Sequence, residues 1–196
     1  MGTIKTTNIQ SISGSGTVTL GTSGETFTVP SGVTIANSGT ATGFGGDLKP
    51  AFSAYRGSTQ TISDATWTKV QFDTEIYDGQ STYDASTNYR FTPASTGYYL
   101  INCNINLMTS AGADLMIDNY ATLRENGTEI AVSQNYGNSS SKSTWGQHNL
   151  SCIIHSDNTS DYYEIFTYAD ISSGNVEVAG NATKQFSSFN AFKLIL

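Results

Sequence analysis

Charged residues are scarce in this chain, and basic residues are the scarcest. Only 13% of the 196 residues are charged, and nine Lys and Arg stand against sixteen Asp and Glu, which gives a net charge of −7. Proteins that bind phosphate backbones need clustered basic side chains, and this composition does not supply them. We therefore expect no nucleic-acid partner, and solubility must come mainly from neutral polar groups.

The chain also has few cysteines and no long apolar run. Its two cysteines, Cys103 and Cys152, are too few for a disulfide scaffold and lack the spacing of a metal site. Both lie in apolar alternations, which favours buried free thiols over a disulfide between neighbouring strands. No segment approaches the roughly 18 apolar residues of a membrane span. The N-terminus, MGTIKTTNIQ, lacks the basic and apolar regions of a secretory signal. We therefore expect synthesis in the cytoplasm without secretory export, and no membrane insertion.

Neutral polar residues are abundant where charged residues are scarce. Ser, Thr and Asn make up roughly a third of the chain, above ordinary usage, and there are 19 Gly. Thr suits a pleated strand, whereas Ser, Asn and Gly favour turns. No window has apolar residues at convincing helical spacing. The composition therefore predicts an all-β protein.

Residues 1–47 differ in composition from the rest of the chain. They contain only two aromatic residues, Phe27 and Phe44, and short apolar pairs between turn residues. The members of each pair are two residues apart and so share one face of a short strand. These pairs are Val18 and Leu20, Phe27 and Val29, and Val33 and Ile35. Strands this short cannot form a core alone, so winding around identical copies is expected. A disordered linker is the alternative.

From residue 48 onward, aromatic residues are dense and apolar runs alternate with turn clusters such as SAGAD and NYGNSSSKS. Asn126-Gly127 between two such runs is a strong hairpin signal. The pattern predicts strands near residues 50–56, 67–72, 74–77, 88–92, 97–108, 114–124, 129–135, 144–155, 161–169, 175–179 and 187–196. About ten strands with no helix between them indicate an antiparallel sandwich or jelly roll.

The alternation of apolar and polar residues assigns the side chains of the predicted strands to two opposite faces. In the strand at 97–108, one face carries the apolar residues Tyr99, Ile101, Cys103, Ile105 and Leu107, and the other carries Asn102, Asn104 and Asn106. In the strand at 144–155, the shared apolar face is that of Leu150, Cys152 and Ile154. Neutral polar groups lose less on desolvation than charges do. The asparagine face is therefore either solvent surface or subunit contact.

Several motifs of the second region occur in a set order. PAFSA opens it at 50–54, TKVQF follows at 68–72, YDASTNYRFTPASTGYYLI spans 83–101, and SSFNAFKLIL closes the chain. With these motifs, residues 50–196 resemble the globular head of complement component one q, a jelly roll shared with the tumour necrosis factor superfamily. The residues that carry the resemblance are Phe52, Phe91, Pro93, Gly97, Tyr99, Phe189 and Phe192. Ala191 stands where that family usually has Gly, and Ile101 occupies its second aromatic place.

This resemblance implies a homotrimer of three jelly rolls around a threefold axis. Residues 1–47 would wind into a β-repeat shaft, and residues 48–196 would form the head. The layout resembles small bacteriophage tail or head fibres, in which the N-terminal region docks on other virion structural proteins. We expect a trimeric structural fibre at the virion surface, with a host surface glycan or protein as the partner of its head. A secreted or surface carbohydrate-binding module is the alternative, and a fibre-borne glycan depolymerase is a further one.

Aromatic side chains near loops are the candidates for host contact. Tyr136 and Trp145 flank the loop NYGNSSSKSTW, and Tyr120 precedes the predicted hairpin. Aromatic faces stack on sugar rings, and neighbouring Asn and Ser supply neutral hydrogen bonds. Ordinary packing in the core or at a trimer axis is the alternative for these rings.

Catalytic and metal-binding patterns are weak. His148 and His155 are seven residues apart on one predicted strand and so lie on opposite faces, and the many Ser residues make any Ser-His-Asp pairing unspecific. We expect no catalytic residue and no enzyme. Oxygen ligands for calcium could come from Asp78, Asp84, Asp114 and Asp118. No EF-hand loop is present, and solvated acidic loops are the simpler interpretation. No other cofactor is expected.

Overall fold

A computed structural model describes residues 19, 23–34, 36, 49–110, 115–137 and 142–194. The chain divides into two compact units, Met1–Phe44 and Gly45–Leu196. Every regular element within the described residues is a β-strand. None of those residues belongs to a helix long and apolar enough to cross a membrane.

In the first unit, the described residues 23–34 form turns rather than strands. Turns occur at 23–24 and 31–32, where Gly24 and Gly32 adopt φ values of +90° and +83°. The short strand predicted at Phe27–Val29 depends on pairing with identical copies and stays a prediction; in the single chain no strand is assigned to these residues. Phe27 is 67% exposed and Val33 is 59% exposed. The predicted partners Val18, Leu20 and Ile35 lie outside the described residues.

The described part of the second unit contains thirteen strands, against the roughly ten expected of a sandwich or jelly roll. In chain order they are β1 (Ala51–Tyr55), β2 (Gln60–Ile62), β3 (Thr68–Lys69), β4 (Thr74–Asp78), β5 (Tyr83–Asp84), β6 (Arg90–Phe91), β7 (Gly97–Thr109), β8 (Met116–Glu125), β9 (Thr128–Asn135), β10 (Trp145–Ser156), β11 (Tyr163–Ile171), β12 (Val176–Val178) and β13 (Ser188–Lys193). The sequence did not predict β2 and β5, because two or three residues are too few to show alternation.

The strands form two antiparallel sheets that pack as a sandwich. Sheet A has the order β2-β12-β7-β13-β1-β4, with β10 paired to the other edge of β7 along residues 97–108. Sheet B has the order β5-β6-β11-β8-β9, with β3 also paired to β11. Most neighbours in both sheets are far apart in sequence, as in the pairs β1 with β13 and β7 with β10. This connectivity is that of a jelly roll.

The predicted inward faces fill the core. Tyr99, Ile101, Ile105 and Leu107 of β7 are fully buried and Cys103 is 4% exposed, as the alternation predicted. On β10, Leu150 and Ile154 are buried, whereas Cys152 is half-buried. Both cysteines are free thiols, so the expectation of buried free thiols is correct for Cys103 and only partly met at Cys152.

Four aromatic side chains join the two sheets at the centre of the core. Phe52 of β1 stacks on Tyr83 of β5 with 4.6 Å between ring centroids, and it contacts Phe91 of β6 at 4.8 Å. Phe189 of β13 meets the Phe52 ring edge-on at 4.9 Å. Burial of each such side chain stabilises the fold by about 1.5–3 kcal/mol. Three of the four residues, Phe52, Phe91 and Phe189, carry the sequence resemblance.

The turn before β7 is held by the other motif residues. Pro93 is buried, and the Tyr99 hydroxyl donates to the carbonyl oxygen of Ser95 at 2.8 Å. Gly97 has φ +141°, and a Cβ added there would lie 2.8 Å from Cε of Lys193. Glycine is required at this position because other residues rarely adopt that φ and would displace the lysine. The hairpin predicted at Asn126-Gly127 is confirmed: both residues have positive φ, +50° and +83°, between β8 and β9.

Candidate functional site

The outer face of sheet A is uncharged over four adjacent strands. Eighteen residues point outward from these strands: six from β7, six from β10, three from β13 and three from β1. None of them is Asp, Glu, Lys or Arg. On β7 and β10 these residues are Tyr98, Leu100, Asn102, Asn104, Asn106, Met108, Trp145, Gln147, Asn149, Ser151, Ile153 and His155. On β13 and β1 they are Ser188, Asn190, Phe192, Ala51, Ser53 and Tyr55. We call this surface the sheet A face.

Polar side chains occupy the middle of the sheet A face and bond to one another. Ser151 Oγ donates to Oδ1 of its cross-strand partner Asn102 at 2.8 Å, and Ser53 Oγ donates to Oδ1 of Asn190 at 2.6 Å. Asn104 Nδ2 donates to the carbonyl oxygen of Phe186 at 2.8 Å. The predicted asparagine face thus forms a fixed polar network around a shallow depression of about 160 Å³.

Apolar side chains flank these polar rows. Ile153, Leu100 and Phe192 lie side by side on β10, β7 and β13, and Ile153 is 64% exposed. Beyond them, the rings of Tyr98 and His155 lie 4.6 Å apart. The opposite end carries Trp145, which is 57% exposed. An uncharged face with exposed large apolar residues is a typical contact surface, because its desolvation costs little.

The outer face of sheet B carries a contiguous row of aromatic rings, which we call the aromatic strip. It consists of Trp67 before β3, Tyr168 of β11, Tyr120 of β8 and Tyr136 after β9. Successive ring centroids lie 5.5 Å, 5.4 Å and 5.4 Å apart along this order. The contacts are tilted or edge-on, which is the favoured geometry for aromatic pairs.

The aromatic strip is exposed chiefly at its two ends. Tyr136 is 68% exposed and Trp67 is 38% exposed, whereas Tyr120 and Tyr168 between them are half-buried. Burial, followed by the hydrogen bond with Tyr136, raises the pKa of Tyr120 to about 12. Burial also raises the pKa of Tyr168. Tyr120 and Tyr168 are therefore uncharged at neutral pH.

Cationic side chains pack beside one end of the strip. The Arg124 guanidinium lies 5.2 Å from the Trp67 ring and 4.1 Å from that of Phe166, and Lys69 forms an ion pair with Glu164. The hydroxyl of Thr122 and Nε of Arg124 are buried without a hydrogen bond.

Carboxylates lie near the tyrosine rings of the strip. Asp170, Asp64 and Asp118 act on the Tyr168 hydroxyl and contribute to its raised pKa. Asp118 Oδ1 accepts a hydrogen bond from the Gly137 amide at 2.9 Å, which holds the chain next to Tyr136. The surroundings of the tyrosine hydroxyls are therefore acidic.

The structure separates the three residues predicted to contact a glycan or receptor. Tyr120 and Tyr136 belong to the aromatic strip of sheet B, whereas Trp145 lies on the sheet A face. Sequence reasoning missed Trp67 and Tyr168, which complete the strip. The outward alternation of Phe166 and Tyr168 on β11 was a usable signal, but the contact with Trp67 depends on strand pairing.

Two of the predicted calcium ligands build turns instead of facing a common centre. The Asp78 carboxylate accepts the amides of Thr82 at 3.0 Å and Tyr83 at 2.8 Å. The Asp84 carboxylate accepts the amides of residues 86–88 at 2.8–3.0 Å. These backbone hydrogen bonds hold the pKa of Asp84 well below its usual range.

The remaining two candidates are Asp118, which lies beside the aromatic strip, and Asp114, which is outside the described residues. In the described part of the chain, no three His, Cys, Asp or Glu side chains converge on a point where a metal could be held.

The two histidines lie on opposite faces of β10, as predicted. His148 is fully buried between the sheets, and His155 is exposed. His148 Nε2 lies 2.8 Å from Asn119 Oδ1, and Nδ1 lies 3.1 Å from Ser133 Oγ. Asn119 Oδ1 already accepts from Asn135 Nδ2 at 3.0 Å, so Nε2 carries the imidazole proton and donates. Burial lowers the pKa of His148 to about 4, and the ring is neutral at physiological pH.

Comparisons with known proteins support the fold and not a family. No protein-family model and no curated protein matches the sequence. Among solved structures, the chain is similar to the Eiger TNF of S. frugiperda, with a TM-score of 0.54, 12% identity, and coverage of 74% of this chain and 91% of that one. It is also similar to murine APRIL at pH 5.0, with a TM-score of 0.50, 12% identity, and coverage of 74% and 99%. The second unit therefore has a TNF-like jelly-roll fold.

Proposed function

We propose that the chain is the subunit of a homotrimeric bacteriophage fibre, with residues 1–47 as its virion-docking shaft and residues 48–196 as its attachment head. The observation that carries this proposal is the charge-free sheet A face. A chain with 25 charged residues among 196 places none on eighteen adjacent outward positions. This is what a face buried against neighbouring subunits requires, since unpaired charges are costly to bury.

The chemistry of the sheet A face suits a threefold assembly. In a closed ring of three subunits, the face of one subunit contacts a different surface of the next. Ile153, Leu100 and Phe192 would supply the apolar contact. The asparagine side chains would enter the contact with some of their hydrogen bonds already formed within the subunit. The resemblance to complement component one q and tumour necrosis factor heads implies the same trimeric arrangement.

The first unit supports the fibre part of the proposal. Phe27 and Val33 are both more than half exposed in a single chain, and the turns at Gly24 and Gly32 bound an irregular segment at 25–30. Side chains of this kind become buried when three copies wind together, as in intertwined fibres. The proposed shaft would thus gain its stability from assembly.

The fibre role is tested by locating the chain on intact phage particles. Gold-labelled antibody raised against residues 48–196 should mark projections on the capsid or the tail, with the label at a distance from the particle wall. Antibody against residues 1–47 should label intact particles less, because that part is docked. Particles that carry no label with either antibody would contradict the proposal.

A further inference from the structure

We propose that the aromatic strip of sheet B, Trp67, Tyr168, Tyr120 and Tyr136, is a binding site for neutral hexopyranose chains. The inference rests on the attachment function proposed above, because it names the class of ligand that the head would hold. It also assigns a role to a surface that lies on the opposite side of the sandwich from the sheet A face.

The first argument is the arrangement of the rings. Trp67, Tyr168 and Tyr120 contact one another pairwise at 5.4–6.0 Å between ring centroids, and Tyr136 contacts Tyr120 at 5.4 Å. Contiguous aromatic rings that include exposed ones on a sheet face are typical of a binding surface. The axial C–H groups of a pyranose ring form an apolar patch of similar size to one aromatic ring, so a run of rings matches a run of sugar units.

The second argument is that the rings are held in place before any ligand arrives. Tyr120 is contacted edge-on by both Tyr136 and Tyr168, and Arg124 packs over Trp67. Tyrosine and tryptophan lose little conformational entropy on binding, and pre-positioned rings lose less. Tyr120 and Tyr168 also lie on directly paired positions of β8 and β11, which fixes the spacing of their backbones.

The third argument is the polar rim, which selects against anionic sugars. The carboxylates of Asp64, Asp118 and Asp170 lie near the Tyr168 hydroxyl, and Asp118 also lies near that of Tyr120. Carboxylates accept hydrogen bonds from sugar hydroxyls and repel uronic or sialic acids. The basic residues nearby are already engaged, Lys69 with Glu164 and Arg124 with the Trp67 and Phe166 rings. Charge complementarity therefore favours neutral glycans.

Three strips on one trimer would act together. A single stacking site for a neutral sugar is weak, but linked sites on one rigid head raise the effective affinity when a polysaccharide presents repeated units. This effect requires all three strips to be open to solvent. Their position on the side of the sandwich opposite the sheet A face is compatible with that.

The chain offers a direct reporter for this test, because Trp67 and Trp145 are its only tryptophans. Trp145→Phe leaves Trp67 as the sole tryptophan. The fluorescence of this variant would be titrated with neutral hexasaccharides of glucose, mannose and galactose and with hexagalacturonic acid. We expect a saturable change of the Trp67 emission with at least one neutral hexamer and none with the acidic one.

Two further substitutions in the Trp145→Phe background locate the binding. Tyr136→Ala removes a ring that is 68% exposed and should weaken binding roughly two- to tenfold. Tyr77→Ala removes a 46% exposed tyrosine on edge strand β4 and should leave the affinity unchanged. Circular dichroism confirms that each variant is folded.

The outcomes separate this inference from the proposed function. If no neutral hexamer changes the Trp67 emission, or if Tyr136→Ala and Tyr77→Ala weaken binding equally, the glycan inference is wrong. Preferential binding of hexagalacturonic acid would also overturn it. The mass of the same samples by light scattering reports on the trimer independently, so a trimer without glycan binding leaves the proposed function standing.

Discussion

His148 makes the stability of the head depend on pH between about 6.5 and 4, the ordinary histidine pKa and the lowered one. Its ring is fully buried, donates through Nε2 to Asn119 and accepts at Nδ1 from Ser133. Burial lowers its pKa to about 4 from the ordinary value of 6.5. The folded state thus prefers the neutral ring, whereas the unfolded state takes up a proton at a higher pH.

The sign and size of the effect follow from proton linkage. Above pH 6.5 the ring is neutral in both states, and its full contribution to stability is present. As the pH falls from 6.5 to 4, the unfolded state binds the proton first, and the free energy of unfolding decreases. The separation of the two pKa values corresponds to about 3 kcal/mol in total, most of which is lost by pH 4.5.

The assay is urea unfolding at pH 7.0 and pH 4.5 at one fixed protein concentration, because assembly makes stability concentration-dependent. The His148→Gln variant keeps a donor for Asn119 but does not titrate, and its stability should change much less between the two pH values. His155→Gln is the matched control and should retain the pH dependence of the parent. In addition, NMR titration of the folded protein should give a midpoint near 4 for His148.

Equal loss of stability in the parent and in His148→Gln would refute the reasoning, and so would an NMR midpoint near 6.5. Either result would mean that the ring is hydrated or that its bonds to Asn119 and Ser133 do not persist in solution. The carboxylates with lowered pKa values, Asp84 and Asp161, lose their contributions only at lower pH and do not account for a change in this window.

Two further predictions concern turns that position the strands. Gly97→Ala should destabilise the head by about 1–3 kcal/mol, because φ at this position is +141° and the new Cβ would lie 2.8 Å from Cε of Lys193; an unchanged denaturation midpoint would contradict this. Asp84→Ala should cost about 0.5–1.5 kcal/mol at pH 7, because the amides of residues 86–88 lose their acceptor but are exposed and can bond to water. Since the pKa of Asp84 is lowered, this stabilisation is present above its ordinary value of 3.8 and lost below it. A difference between variant and parent that persists unchanged at pH 2 would contradict the assignment.

β7 and β10 were predictable because each of them shows a period of two over eight or more residues. In β7 the alternation from Tyr99 to Leu107 assigned both faces, and the turn at Asn126-Gly127 joined β8 to β9 without any tertiary information. The short strands β2 and β5 carry no such pattern, and they form because β12 and β6 offer them hydrogen-bonding partners.

The candidate surfaces were predictable only in part, because they depend on register. The asparagine face of β7 was visible in the sequence, but the rows that Ser151, Asn190 and Ser53 add to it come from three other strands. Likewise, Tyr120 was a candidate, while Trp67 and Tyr168 join it only through the pairing of β3 and β8 with β11. Single-strand patterns predict which face a residue occupies, and tertiary structure decides its neighbours.

The account depends most on the sheet A face being a subunit contact, and the mass of the protein in solution tests this directly. Light scattering coupled to size exclusion should give about 63 kDa, three times the chain mass of 20.9 kDa. Ile153→Asp places a charge on a position that is 64% exposed in the single chain, so it should leave the fold intact and shift the mass towards 20.9 kDa. Ile76→Asp, on a 51% exposed residue of edge strand β4, should remain trimeric. A parent protein that elutes at 20.9 kDa, or an Ile153→Asp variant that stays at the trimer mass, would contradict the central claim.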